Sequence, residues 1–169
     1  GFTRALVDGR LVLTNANPQT TLVESLPNEM TYNDFTLTVT FALQIGDAND
    51  SVGFYLRGDN NLDHDYRVEI SGNNLFDVAK EYLDQQSMPQ TLMLEGPEGV
   101  PALHPPGQLN TLTATLQGPM LSMTINNTLV STVTDSDYSS GQVALFARHG
   151  TSSAGVSMAI SSIEIDRLV

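Results

Sequence analysis

With 169 residues the chain suits one domain with a sizeable core, and 40% of its residues are hydrophobic, too many for a disordered segment. The 19 acidic residues outnumber the 7 basic ones for a formal charge of −12, which repels nucleic-acid phosphates and anionic lipid. Cysteine is absent, which removes thiol catalysis, disulfides and cysteine-type zinc sites together, and no window approaches the roughly 20 apolar residues of a spanning helix, so direct membrane insertion is not expected.

Taken in order, residues 11–13 and 21–26 read as short strands separated by the turn cluster Asn15-Ala16-Asn17-Pro18. The cleanest alternation follows: Phe35, Leu37, Val39, Phe41, Leu43 and Ile45 point one way, and Thr36, Thr38, Thr40 and Gln44 the other. After an acidic turn at 46–50, Val52, Phe54 and Leu56 point inward, opposite Gly53, Tyr55 and Arg57. A polar turn over 58–65 leads to Tyr66, Val68 and Ile70, opposite Arg67 and Glu69, and Gly72-Asn73-Asn74 turns into a strand over 75–82. Residues 85–107 hold Pro89, Pro97, Pro101, Pro105 and Pro106 and are read as a stiff excursion, with a short edge strand at 91–94.

Residues 109–134 predict three consecutive antiparallel strands. Leu112, Ala114 and Leu116 alternate with threonines, Gly118-Pro119 breaks the run, Leu121, Met123 and Ile125 resume it, and Asn126-Asn127 breaks it again. Asn-Asn tolerates the positive φ of a two-residue hairpin turn. A strand over 141–149 places Val143, Leu145 and Ala147 inward. In the last strand, over 156–165, the apolar parity changes from Val156, Met158 and Ile160 to Ile163 and Ile165. Keeping both sets buried requires an extra residue near Ser161-Ser162, so a bulge or a crossing between sheets is predicted there. The fold class is all-β, a two-sheet antiparallel β-sandwich spanning residues 1–169 as one domain. The abrupt start at Gly1-Phe2 and the strand-like end suggest a domain excised from a larger extracytoplasmic or membrane-anchored protein.

The phrases SVGFYLRGDNN and DYRVEI, then LNTLTATLQGPMLSMTINNTLV, then GQVALFARHG and SIEIDRL, resemble the concanavalin A-like lectin/glucanase superfamily, in its laminin G-like and 3-keto-disaccharide hydrolase-like branch. The likeness covers about residues 30–168. Asn127 and Ala144 stand where such domains more often carry glycine. The resemblance implies a jelly roll of two packed sheets, one of them concave, and a secreted or cell-surface bacterial setting in which a kinase or enzyme domain is covalently linked. Glucanases of this superfamily use Glu-x-Asp-x-x-Glu on one strand. The one Glu-x-Asp here, Glu164-Ile165-Asp166, is followed three residues on by Val169, so the acid/base is missing, and no Gly-x-Ser-x-Gly elbow occurs.

Two features remain as candidate sites. Alternation places Tyr55, Arg57, Arg67, Glu69, Phe146 and Arg148 on one sheet face. That face reads either as a groove for a glycan or small anionic ligand, bordered by the 85–107 segment, or as a cross-strand ladder in which Glu69, Asp77 and Glu81 neutralise the arginines. Tryptophan is absent, so Tyr55 and Phe146 would supply any stacking surface. Asp59, Asn61 and Asp63 offer oxygens at alternate positions, as calcium loops do, with Asp47, Asn49 and Asp50 as a second acidic turn. Ca2+ is common in the superfamily, while turn chemistry alone also accounts for these residues. The reading is a non-catalytic extracytoplasmic binding or sensor module. A glycoside-active enzyme of the 3-keto-disaccharide type is the first alternative and a structural spacer the second.

Overall fold

Side chains two apart share a surface, so each alternating run must bury one row against a facing sheet. The computed structural model describes residues 1–26, 30–150 and 155–169, and every regular element among them is a strand. One sheet has seven strands in the order β1 (Phe2–Val7), β2 (Arg10–Asn15), β13 (Val156–Arg167), β4 (Phe35–Gln44), β9 (Leu109–Gln117), β10 (Met120–Ile125) and β11 (Thr128–Thr134). The other has six: β3 (Thr20–Ser25), β12 (Gln142–His149), β5 (Ser51–Gly58), β6 (Asp65–Ser71), β7 (Leu75–Leu83) and β8 (Pro89–Gly99). Neighbours pair antiparallel throughout, giving the two-sheet jelly-roll sandwich.

The core lies between the sheets. Phe35, Leu37, Val39 and Phe41 of β4 are buried against Val52, Phe54 and Leu56 of β5 and Val143 and Leu145 of β12. Phe41 and Phe54 meet edge to face across the layers, with ring centroids 6.1 Å apart. The β9–β10–β11 meander forms as its alternation predicts. Asn126 and Asn127 both have positive φ, 50° and 66°, the combination a two-residue turn requires. The predicted bulge is at Ser161: Ile160 pairs with Phe41 and Ser162 with Thr40, so Ser161 has no opposite number and Ile163 and Ile165 stay packed on the core.

Two elements differ from the sequence reading. The expected short strand at 91–94 is an eleven-residue edge strand, β8. Among the described residues its outer side has no partner strand, so proline's missing N–H costs nothing there. Pro97 also sits where the β7–β8 register shifts. β1 was not foreseen, because its six residues are all exposed and contribute no buried row to create a period of two. The acidic turn before β5 is structural: Asp50 Oδ2 accepts hydrogen bonds from the amides of Gly46 and Asp47, both 3.0 Å, and Oδ1 accepts from Gly150 at 2.7 Å.

Candidate functional site

The strand registers stack the outer residues of the six-stranded sheet into cross-strand rows. Val23, Phe146, Gly53, Glu69 and Asp77 form one row, and Ala144, Tyr55, Arg67, Ala79 and Met93 the next. Arg148 and Ser51 lie before the first row, and Asp65, Glu81 and Thr91 beyond the second. Five of the six expected residues, Tyr55, Arg67, Glu69, Phe146 and Arg148, therefore share the face.

Arg57 does not, contrary to the expectation from alternation. In the β5–β12 pairing Tyr55 lies opposite Ala144 but Gly58 opposite Gln142, so β5 carries an extra residue at this point. Arg57 takes it up with a φ of 52°, rare for a residue with a side chain. The bulge breaks the alternation and turns the guanidinium to the end of the sandwich. There Nε and Nη2 donate to the Asn33 carbonyl, Nη1 to the carbonyls of Gly118 and Tyr138, and Nη2 to Asp34 Oδ1.

On the face itself the arginines are paired. Arg67 Nε lies 2.8 Å from Glu69 Oε2, Nη1 3.3 Å from Glu81 Oε2 and Nη2 3.5 Å from Asp77 Oδ1. Arg148 Nη1 donates to both oxygens of Glu69 at 3.2 Å. The ladder of carboxylates and guanidiniums read as one alternative from the sequence is thus present. Alternation along β6 also brings in Asp65, two residues before Arg67, which the sequence reading had assigned to the preceding turn.

Asp65 is fully buried, and neither of its oxygens accepts a hydrogen bond. Burial first, then the charge of Glu81 across the strand, pushes its carboxyl up to about 9, and as the neutral acid it hydrogen-bonds Glu81. Burial and the neighbouring Glu69 likewise raise Asp77 to about 6, and burial raises the Tyr55 phenol to about 12.

The stacking surface expected from Tyr55 and Phe146 is closed. The two rings stack on each other, centroids 4.8 Å apart, and Phe146 is 0% exposed. Its ring lies over Gly53, where an added Cβ would come 2.7 Å from Phe146 Cζ and 1.9 Å from the Val68 carbonyl oxygen. Val23 and Leu62 pack around the pair, and the Arg148 guanidinium sits 5.4 Å above the Phe146 ring. What the face offers to solvent is the edge of Arg148, whose side chain is 32% exposed, the Glu81 carboxylate, and Thr91 and Met93 on β8.

In the Asp59, Asn61 and Asp63 turn, Asp59 Oδ1 accepts from the amides of Asp63 and His64, and Oδ2 lies 2.9 Å from His64 Nδ1. Among the described residues no group of three or more His, Cys, Asp or Glu is placed to hold a metal ion.

A family model described as the 3-keto-alpha-glucoside-1,2-lyase-like domain matches residues 2–165. No curated protein sequence matches the chain. Among solved structures, the chain is similar to the carbohydrate-binding module CBM66 from Bacillus subtilis, with a TM-score of 0.71 and 14% identity, covering 98% of this chain and 92% of that one. It is also similar to a Bacteroides ovatus mixed-linkage glucan GH16 protein in complex with an oligosaccharide product, with a TM-score of 0.64 and 11% identity, covering 98% and 85%. A Bacillus subtilis protein of unknown function with a galectin-like fold gives a TM-score of 0.70 at 10% identity, covering 99% and 86%. At these identities the structural likeness shows the fold, the concanavalin A-like jelly roll.

Proposed function

The chain belongs to the 3-keto-alpha-glucoside-1,2-lyase-like domain family, and from that premise we propose that it binds a neutral carbohydrate, without transforming it, on the outer face of its six-stranded sheet. The observation that carries this reading is the Arg148–Glu69–Arg67 network. It holds the part-exposed Arg148 N–H groups beside the Glu69 carboxylate, a donor next to an acceptor, the pattern that sugar hydroxyls, which both donate and accept, can satisfy.

Charge selects the ligand class. With Asp65 held as the neutral acid, the face carries three carboxylates, Glu69, Asp77 and Glu81, against the two guanidiniums of Arg67 and Arg148. A face with a carboxyl surplus on a chain of charge −12 repels a polyanionic glycan, so the sugar-or-anion alternative narrows here to a neutral sugar. Burial supports binding over catalysis: Asp65 and Asp77, the acids with raised pKa, are 0% and 4% exposed, whereas an acid/base must reach the proton it moves. The module would act outside the cytoplasm as a recognition unit of a longer protein.

The second reading, a lyase acting on 3-keto-glucosides, is favoured by the family description and by the raised pKa of the buried acids. Calorimetric titration with neutral oligosaccharides, run beside a turnover assay on a 3-keto-glucoside, separates the two. Saturable binding without turnover is expected, and binding should weaken in Arg148→Ala. Turnover abolished by Asp77→Asn would replace this reading with the enzymatic one, and neither binding nor turnover would leave a spacer.

A further inference from the structure

By leaving the sheet face, Arg57 becomes the floor of a separate cleft at the end of the sandwich. The cleft has a volume of about 740 Å³, and its walls include Asn33, Asp34, Tyr138, Ser139 and Arg167. All five Arg57 hydrogen bonds are internal, four to backbone carbonyls and one to Asp34 Oδ1 at 3.1 Å. The Arg57 side chain is 1% exposed while that of Asp34 is 41% exposed, so a buried cation is opposed by one carboxylate already half in water. Consistent with an undercompensated charge, burial lowers the pKa of Arg57.

The second cation is placed differently. The Arg167 guanidinium lies over the Tyr32 ring, 4.6 Å from its centroid. Stacking occupies one flat side and leaves the in-plane N–H fork unobstructed. Arg4, Arg57, Arg67, Lys80 and Arg148 account for five of the seven basic residues and each has a carboxylate partner. Arg167, among the described residues, has none and is turned into this cleft. Asp135 and Asp137, which flank the cleft residue Ser136, are both bound to Lys80. Among the described residues that line the cleft, the remaining charges are Arg57 and Arg167 against Asp34, a local surplus of one positive charge. Exposed charges more than about 10 Å away are largely screened at 0.1 M salt, so this surplus outweighs the negative total of the chain.

We propose that this cleft is a second ligand site, which takes a small oxyanion, the carboxylate of a sugar acid or a phosphate group, on the free N–H fork of Arg167. The positive floor supplied by Arg57 favours the anion, and the hydroxyls of Thr31, Ser136 and Ser139 in the walls suit the polar remainder of such a ligand. The site is distinct from the sheet face in position and of opposite charge preference.

Amide chemical-shift mapping of the whole chain with inorganic phosphate, D-glucuronate and D-glucose tests it. Phosphate, glucuronate or both should shift the amides of Gly118, Ser139 and Leu168 saturably, and which of them binds more tightly identifies the source of the anion. Glucose should leave these amides unmoved. Arg167→Ala should weaken anion binding about tenfold and leave the melting temperature unchanged, and Arg167→Lys should restore part of the affinity. Absence of saturable shifts at tens of millimolar anion, equal shifts with glucose, or unchanged affinity in Arg167→Ala would each overturn the proposal.

Discussion

Arg148 Nη1 donates to both carboxylate oxygens of Glu69 at 3.2 Å, and the same carboxylate holds Arg67 Nε at 2.8 Å, so one acid positions two guanidiniums, one on its own strand β6 and one on β12 across the intervening β5. The two pairs differ in accessibility. The Arg67 side chain is 8% exposed and that of Arg148 is 32% exposed. Arg148→Ala should therefore cost about 1 kcal/mol of stability or less, as partly exposed pairs do, while weakening neutral-sugar binding measured by calorimetry. Glu69→Gln should weaken binding too, and in a double-mutant cycle the two losses should not add. Additive losses would show that Glu69 does not position Arg148.

Asp65 makes the stability of the fold depend on pH. Its carboxyl titrates at about 9 in the folded chain against an ordinary 3.8. Between those values the folded state holds a proton that the unfolded chain has released, so stability falls as pH rises through this window. Asp77, raised to about 6, adds to the fall below pH 6. The melting temperature should decline from pH 5 to pH 9. Asp65→Asn, which cannot ionise, should flatten that decline and be the more stable form at pH 8. A wild-type curve that rises with pH would place Asp65 as an ordinary ionised carboxylate.

Arg57 is expected to be the most damaging of the arginines to remove. Arg57→Ala leaves the carbonyls of Asn33, Gly118 and Tyr138 without their donor and unties the entry to β4, the β9–β10 turn and the β11–β12 connection from one another. Hydrogen bonds to a charged group contribute about 1.5–3 kcal/mol each, so a loss of about 3 kcal/mol or more in urea unfolding is expected. Arg57→Lys should recover little, because an ammonium has three donors and no fork. Sugar binding on the distant face should survive in whatever fraction stays folded.

Two Asn-x-Ser/Thr sequons, at Asn49 and Asn126, separate on structure. Asn49 is exposed. The Asn126 side-chain amide donates to the Ala102 carbonyl at 2.7 Å and to Asn110 Oδ1 at 2.9 Å, while its Oδ1 accepts from the Thr111 amide. Folded material secreted from a eukaryotic host should carry a glycan at Asn49 alone by mass spectrometry. Glycan on Asn126 in folded protein would contradict the described turn.

Most of the fold was legible because alternation is a local signal that survives wherever one face of a strand is buried. The parity change from Ile160 to Ile163 located the Ser161 bulge, and Asn126-Asn127 announced its turn through the backbone those residues tolerate. The signal fails where no face is buried, as in β1, or where an unpaired edge relaxes the rule against proline, as in β8.

The sequence by itself determined the two-layer class, the inward rows and five of the six residues placed on the sheet face, since all of these follow from which side chains must leave water. Only the tertiary structure decided that Arg57 turns away through a bulge against β12, that Asp65 joins the face as a buried acid, and that Phe146 and Tyr55 cover each other instead of meeting solvent. Those outcomes depend on which strands become neighbours. A backbone bulge, a carboxyl's desolvation and a ring's exposure are set by groups far away in the chain.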